Sequence, residues 1–298
     1  MDTVLAATLS LVRNRACAQV KENLMDNSRY YLPAPSWWPI FGSVALLALA
    51  GGFVLLLQHV AAGPYLMLGG ALVLAYMLIG WFGAVIREST SGRFNKQVDR
   101  SYRWGMIWFI FSEVMFFAAL FGALFYARHF SVPWLGQTPL LWPGYDAAWP
   151  TAGPGSRAQF TPMAAWGIPA VNTLILLSSG ATVTWAHWGM KRDHRLQLKL
   201  GLALTILLGA SFLLLQAHEY LSADFGLNTG IYGATFFLLT GFHGAHVTLG
   251  AIMLTIILGR VLAGHFSSDR HFAFEAVSWY WHFVDVIWLL LFVFVYWL

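Results

Sequence analysis

Glu113 is the first residue that calls for a chemical explanation, because its carboxyl group lies within a long apolar run. It follows Tyr102, where the run begins, by eleven residues, or about 16 Å along a helix. A bilayer core is about 30 Å thick, so the carboxyl group is expected near its middle. A carboxylate is costly there, and we expect Glu113 to be protonated or paired with a group on another helix. Two roles are open. Glu113 either exchanges protons or contacts lipid, or it is a neutral acid that joins helices through hydrogen bonds.

A second candidate is the histidine pair, His243 and His246, which lie three residues apart and therefore on one face of a helix. Two imidazoles can ligate a metal or a haem, but a metal site needs at least one more ligand and a supporting second shell. The neighbours Gly241, Gly244 and Ala245 are typical of close helix packing in membranes. We therefore expect packing and hydrogen bonding here, and no metal or haem bound by the chain.

The last apolar run carries a polar stripe: Glu275, Ser278, His282 and Asp285, at spacings of 3, 4 and 3. These spacings place the four residues along one side of a helix, which is expected to face protein and not lipid. The polar stripe is either a proton relay or an interhelical hydrogen-bond network, and such networks are the commoner of the two.

Polar residues also mark the ends of apolar runs. Arg87 and Arg260 end the second and sixth runs on the same side, where an arginine can bind a lipid phosphate or serve only as a topological charge. At the opposite side, Gln216, His218 and Glu219 close the fifth run. We expect these three side chains to be solvated near the surface and to have no special role.

The composition identifies the class of protein. Hydrophobic residues make up 58% of the 298 residues and charged residues only 10%, whereas a soluble domain has about 25% charged residues. The net charge of +4 comes from cations spread between apolar runs and not from one patch, so no nucleic-acid partner is expected. Cys17 is the only cysteine, which excludes an intrachain disulfide and a cysteine metal site.

Seven apolar runs of about 20 residues or more follow an N-terminal tail. A helix of that length spans a hydrocarbon core of about 30 Å, so the sequence predicts an all-α membrane protein with seven transmembrane helices. The runs cover residues 37–57, 64–86, 102–127, 168–190, 198–217, 231–262 and 274–298.

The basic residues predict the topology. Of the 17 Lys and Arg residues, all but Arg128 and Arg157 fall on one side of the predicted helices, which places the N-terminus inside and the C-terminus outside. Met25 is an alternative start of the chain.

The long outer loop, residues 129–166, is either a docking surface for a partner subunit or a solvent-facing connector. The predicted regions are a cytoplasmic tail (1–36), a two-helix transmembrane unit (37–86), a cytoplasmic loop (87–101) and a five-helix unit (102–298) containing the outer loop (129–166).

Several strings between residues 37 and 298 resemble subunit III of cytochrome c oxidase, in the haem–copper oxidase family. They occur in the family's order, and the long outer loop is similar to that of proteobacterial versions. The strings are IREST (86–90), RWGM (103–106), FSEVMFF (111–117), WAH (185–187), LQAHEY (215–220), GATFF (233–237), GFHGAHV (241–247), FEA (274–276) and WYWHFVDV (279–286).

The resemblance implies a non-catalytic core subunit of the complex that reduces oxygen and pumps protons. Haem and copper then belong to the partner subunits I and II, and cytochrome c donates electrons to the complex. The chain would stabilise the catalytic subunit and support proton uptake. Its expected shape is a seven-helix protein with a V-shaped cleft, filled by phospholipid, between helices 1–2 and helices 3–7. The expected location is the bacterial inner membrane.

By position, the resemblance matches Arg87 and Arg260 to the family's lipid-phosphate contacts. It matches Glu113 to the family's carbodiimide-reactive intramembrane acid. Two alternatives stand beside it. One is a stand-alone proton-coupled transporter whose ion path uses Glu113 and the polar stripe, and the other is a membrane haem protein that uses the histidine pair.

Overall fold

The computed structural model describes residues 30–155, 160–268 and 270–298, and the regular elements of these residues are all helical. Most of the predicted tail, with Cys17 and the alternative start at Met25, lies outside the described residues, as does Arg157. The helices are α1 (Trp38–Leu57), α2 (Gly63–Thr90), α3 (Lys96–Tyr126), α4 (Val132–Gly136), α5 (Ile168–Lys191), α6 (Arg195–Ser222), α7 (Ile231–Leu262) and α8 (Phe272–Leu291).

Among the described residues, seven helical stretches are long and apolar enough to cross a membrane. They coincide with the seven predicted runs, so the predicted all-α membrane fold is confirmed. The third stretch, Lys96–Gly136, includes α3, a π-helical segment at Ala127–Ser131 and the short α4. The predicted inside–outside orientation of the termini and the V-shaped cleft stay predictions.

The loop predicted at 87–101 is much shorter in the structure, because both flanking helices continue beyond their apolar runs. The start of α3 is fixed by Asn95, whose side-chain oxygen accepts hydrogen bonds from the backbone N–H groups of Gln97 (3.1 Å) and Val98 (3.0 Å). Such a cap satisfies amides that have no partner within the helix. Hydropathy indicates which part of a helix lies within the membrane, whereas the capping residue determines where the helix itself begins.

The outer loop predicted at 129–166 is also shorter, because its first residues are helical up to Gly136. Pro133 stands in the first turn of α4, directly after the π-helical segment. A proline lacks the N–H that would bond to the preceding turn, and a widened π turn absorbs that loss without ending the helix. Apolarity falls at Arg128 and His129, so the sequence prediction ended the helix too early.

The chain forms two compact units, one ending at Tyr102 and one comprising Arg103–Leu298. In the first unit, α1 and α2 form a hairpin that buries few of its residues. Only 17% of the residues in the apolar stretch of α1 and 11% of those in the apolar stretch of α2 are buried within the chain. Small residues permit the close approach of the two helices. A Cβ atom added to Gly70 would lie 2.9 Å from the backbone nitrogen of Leu49 and 3.0 Å from the carbonyl oxygen of Ala45.

We expect Gly70→Val to separate α1 from α2, because its Cβ would meet backbone atoms that cannot move independently of the helix. The adjacent Gly69→Val is a matched control, since nothing lies within 4 Å of its added Cβ. Thermal unfolding of the full chain in detergent should show a loss of about 1–3 kcal/mol for Gly70→Val and about zero for Gly69→Val. Equal stability of the two variants would contradict this packing.

The second unit has a well-filled core, to which the last span contributes more buried apolar side chains than any other span. In the apolar stretch of that span, 56% of the residues are buried within the chain. Trp281 and Trp288 on α8 are completely buried. Helices α5 and α6 also approach closely, since a Cβ added to Gly201 would lie 2.7 Å from the Cβ of Ala186. After α8 the chain continues as a π-helix, Phe292–Trp297, in which Tyr296 is buried.

Candidate functional site

Glu113 on α3 faces His246 on α7, with 2.9 Å between Glu113 Oε2 and His246 Nε2. The two side chains are 23% and 16% exposed within the chain, so the pair is shielded. Phe116 and Phe117 pack against the His246 ring at centroid distances of 6.0 and 5.0 Å. The acid that had no counter-charge on its own helix thus has its partner across the bundle.

The other ring nitrogen of His246 determines the proton content of this pair. His246 Nδ1 lies 2.6 Å from the carbonyl oxygen of Phe242, which can only accept a hydrogen bond, so Nδ1 carries a proton. The short contact on the other side then requires one more proton, held by Nε2 as an imidazolium or by Glu113 as a neutral acid. Both arrangements give the pair one shared proton and zero net charge, which makes an acid tolerable within an apolar span.

His243 occupies a different environment from His246, although the sequence places both on one helix face. It is completely buried, between the rings of Phe212 (centroids 5.8 Å apart) and Trp288 (5.3 Å apart). Neither of its ring nitrogens has a hydrogen-bond partner among the described residues. His243 therefore packs among aromatic rings, in surroundings unlike those of His246. That the histidine pair binds no metal or haem stays a prediction.

The polar stripe of α8 is divided by the structure into separate contacts. Ser278 donates a hydrogen bond to the carbonyl of Phe274 on its own helix (3.0 Å). His282 Nδ1 lies 3.4 Å from Asp285 Oδ2, and His282 Nε2 lies 3.2 Å from the hydroxyl of Thr184 on α5. The fourth residue, Glu275, belongs to a different group, so among the described residues the four side chains are not joined in one continuous chain of hydrogen bonds.

The two polar residues at the end of the stripe differ in burial: the side chain of His282 is 45% exposed within this chain, whereas Asp285 is buried. That the whole stripe faces protein stays a prediction. His282 and Asp285 line an open cavity of about 500 Å³ between α5 and α8. Gly180 makes room for the carboxylate, since a Cβ there would lie 2.5 Å from Asp285 Oδ2. A spacing of 3, 4 and 3 keeps residues on one side of a helix, but that side is wider than the contact with α5.

Glu275 is the centre of a group that the sequence analysis missed. Its Oε2 atom forms an ion pair with Arg103 Nη1 on α3. Its Oε1 atom lies 3.4 Å from His187 Nε2 on α5 and 3.2 Å from His271 Nε2, just before α8. His187, His271 and Glu275 have ligand atoms within 4.8 Å of one another and form the one three-residue group with metal-ligand geometry found in the described residues.

The arginines predicted to contact lipid are at helix ends, each within its own unit. Arg87 lines a cavity of about 380 Å³ at the end of α2, together with Glu88 and Arg93. Arg260 is near the end of α7, with its guanidinium 4.4 Å from the centroid of the Phe266 ring. Its buried Nε has no hydrogen-bond partner among the described residues.

The expected solvation of the fifth run's polar end is wrong for two of its three residues. Gln216 and Glu219 are only 4% and 2% exposed, whereas His218 is exposed. Gln216 Nε2 donates a hydrogen bond to the hydroxyl of Tyr296 in the terminal π-helix (3.3 Å). The last turns of the chain cover this end of α6, which hydropathy alone does not indicate.

Comparisons with known proteins agree with the motifs. The family model for cytochrome c oxidase subunit III matches residues 28–298. The "Cytochrome c oxidase subunit 3" of Struthio camelus is 42% identical over 269 residues, covering 90% of this chain and 96% of the relative's length. The protein of the same name from Danio rerio has the same identity and coverage, and that from Oryctolagus cuniculus is 39% identical.

Proposed function

The chain belongs to the cytochrome c oxidase subunit III family, and from this membership we infer its work within the complex. Subunits of this family are non-catalytic parts of the oxidase, so oxygen reduction is an activity of the whole assembly. We propose that this chain stabilises the catalytic subunit, supports proton uptake and holds structural phospholipids. Subunits I and II are the proposed partners that carry haem and copper, with cytochrome c as the donor. Family membership argues against a stand-alone transporter.

The observation that carries a structural role is the Glu113–His246 pair. A residue of a proton route must exchange protons with both sides of a membrane, through a chain of polar groups or waters. Around this pair the packing groups are aromatic, including the rings of Phe116, Phe117 and Phe283. A pair of zero net charge in such surroundings joins α3 to α7, and the pumped-proton route is assigned to the catalytic subunit.

Arg87 and Arg260 are the proposed phospholipid contacts. A guanidinium binds a phosphate with two parallel N–H donors, so an arginine at a helix end is well suited to a headgroup. In favour of this role, Arg87 stands in a cavity at the end of α2, and the buried Nε of Arg260 has no hydrogen-bond partner among the described residues. A lipid phosphate would supply that partner.

The proposed location is the bacterial inner membrane, with the N-terminus inside and the C-terminus outside. The bias of Lys and Arg supports this orientation. The long segment between α4 and α5, similar to the outer loop of proteobacterial versions, supports the bacterial origin.

We expect the double variant Arg87→Ala/Arg260→Ala to lose tightly bound phospholipid and to shorten the working lifetime of the oxidase. The physical reason is the loss of two charge-assisted donors to phosphate. Native mass spectrometry of the purified complex gives the lipid count, and oxygen consumption over many turnovers gives the lifetime.

The matched control is Arg100→Ala/Arg192→Ala, which removes two exposed arginines from the same predicted side of the membrane. This variant should retain both the lipid and the lifetime. Unchanged lipid content in the Arg87→Ala/Arg260→Ala complex would overturn the proposed lipid role, and equal losses in the two double variants would reduce it to a general effect of charge.

A further inference from the structure

We propose that His187, His271 and Glu275 form an exchangeable site for a divalent cation of the zinc class, a role that goes beyond the function proposed above. Two distant parts of the chain converge there: His187 comes from α5, and His271 and Glu275 lie four residues apart at the start of α8. The Nε2 atoms of both histidines are directed at the same carboxylate oxygen, Glu275 Oε1, at 3.4 and 3.2 Å. All the ligand atoms lie within 4.8 Å of one another, which is close enough for one ion to contact all three.

The tautomer of His271 leaves Nε2 available to a cation. Its Nδ1 atom lies 3.2 Å from the carbonyl oxygen of Ser267, an acceptor, so Nδ1 carries a proton. Nε2 faces Glu275 Oε1 at 3.2 Å, and this contact needs either a second proton on the ring, as in the Glu113–His246 pair, or a cation between the two atoms. A cation can also bind His187 Nε2, which is directed at the same oxygen, whereas a single proton cannot join all three atoms. Histidines that ligate metals characteristically donate their other N–H to a carbonyl or carboxylate in this way.

The burial of the three side chains supports the same conclusion. The side chains of His187, His271 and Glu275 are 20%, 10% and 11% exposed. The Nε2 atoms of both histidines are buried and make no hydrogen bond among the described residues. Buried polar atoms in native proteins are nearly always satisfied, so two that point at one position indicate a missing partner there.

Arg103 orients the carboxylate and tunes the site. Its guanidinium pairs with Glu275 Oε2 and stacks 5.0 Å from the Phe272 ring, which leaves Oε1 for the cation. Because the arginine already neutralises the carboxylate charge, it lowers the affinity for a second positive ion. The site is therefore expected to bind a cation more weakly than a structural zinc site and to exchange it.

The ligand set identifies the class of ion. Two imidazole nitrogens and one carboxylate oxygen, with a fourth position left open, are typical of Zn²⁺. Mg²⁺ and Ca²⁺ prefer sites made entirely of oxygen. A bound ion would connect the end of α5 (His187) to the start of α8 (His271 and Glu275), and thus fix the entry of the last helix into the core.

The test is zinc uptake by the assembled oxidase after exchangeable metal has been removed with a chelator. Equilibrium dialysis against radioactive Zn²⁺ counts the ions per complex. We expect His187→Asn to bind one Zn²⁺ fewer than the wild type, since losing a direct ligand should weaken affinity at least as much as the 10–100-fold typical of outer-shell changes. The exposed His194→Asn is the matched control and should bind the wild-type number.

Zinc K-edge X-ray absorption gives an independent readout. The difference between the wild-type and His187→Asn spectra should show imidazole nitrogen at about 2.0–2.1 Å, oxygen at about 2.0–2.2 Å and no sulfur. Equal zinc uptake by the wild type and His187→Asn overturns the proposal, and so does an equal loss in His194→Asn. If His187→Asn does not assemble, His271→Asn replaces it. If neither assembles, a wild-type zinc spectrum without imidazole scattering overturns the site.

Discussion

Replacing Glu113 by glutamine is expected to leave oxygen reduction and proton pumping by the assembled oxidase almost unchanged. In the wild type, Glu113 and His246 share one proton across a 2.9 Å contact and have no net charge together. A glutamine amide can donate to the neutral ring of His246 at Nε2 and preserve both the shape and the hydrogen bond. The pair would remain neutral without any titratable acid.

Glu113→Ala should behave differently, because it leaves Nε2 of His246 without a partner in an apolar environment. An unsatisfied buried polar group costs about 1–3 kcal/mol, so this variant should assemble less well and lose activity sooner. The neighbouring Ser112→Ala is the control, since that hydroxyl donates a hydrogen bond to the carbonyl of Phe109 on its own helix (2.7 Å).

The decisive measurement for Glu113 is the proton-to-electron ratio of reconstituted oxidase. Glu113→Gln should retain the wild-type ratio, and Glu113→Ala should retain the ratio in whatever fraction assembles. A collapse of the ratio in a fully assembled Glu113→Gln complex would show that the carboxyl group belongs to the pumped-proton route.

Trp281→Ala is expected to be among the most destabilising single substitutions in the chain. The indole is fully buried and its Nε1–H donates to the hydroxyl of Ser179 on α5 (2.9 Å). It also fills the space left by two glycines: a Cβ added to Gly209 on α6 or to Gly250 on α7 would lie 2.7 or 2.8 Å from the indole ring. One side chain on α8 therefore contacts three other helices.

Truncating a buried aromatic side chain costs about 3–5 kcal/mol, which in this position should prevent α5, α6 and α7 from packing around α8. Denaturant unfolding of the full chain in detergent measures the loss, with the exposed Trp108→Ala as its control. Gly250→Val should also lower the stability of the chain, because the larger side chain crowds the indole of Trp281. Gly244→Val on the same helix is its control, since no atom lies within 4 Å of a Cβ added there. Near-wild-type stability of Trp281→Ala would mean that the core is held elsewhere.

Sequence reasoning located the helices because each span must satisfy its own backbone hydrogen bonds within the membrane, a requirement visible in a single apolar run. The predicted depth of Glu113 rests on the same counting of residues and stays a prediction. The partner of Glu113 could not be predicted in this way, because His246 becomes a neighbour only when α3 and α7 have adopted particular rotations about their axes. No property of either helix alone specifies that rotation.

The same limit explains the other differences. His271 and Glu275 are four residues apart, a spacing that places two side chains on one helix face. The third member, His187, stands far from both in the sequence, and only the folded chain brings it to them. Glu275 was recognised, but as part of a stripe on one helix. Gln216 looked like the solvated end of a span because its cover comes from Tyr296 at the far end of the chain.

The π-helical end of the last span, Phe292–Trp297, has a consequence for how the length of this chain can change in evolution. A π turn closes from residue i to i+5 and so holds about one residue more than an α turn. Losing one residue from it converts the segment towards an α-helix and leaves Tyr296 opposite Gln216. Within α8 the same deletion turns every later residue by about 100° and carries Tyr296 away. Single-residue deletions among descendants of this gene should therefore be found in these terminal turns more often than within α8.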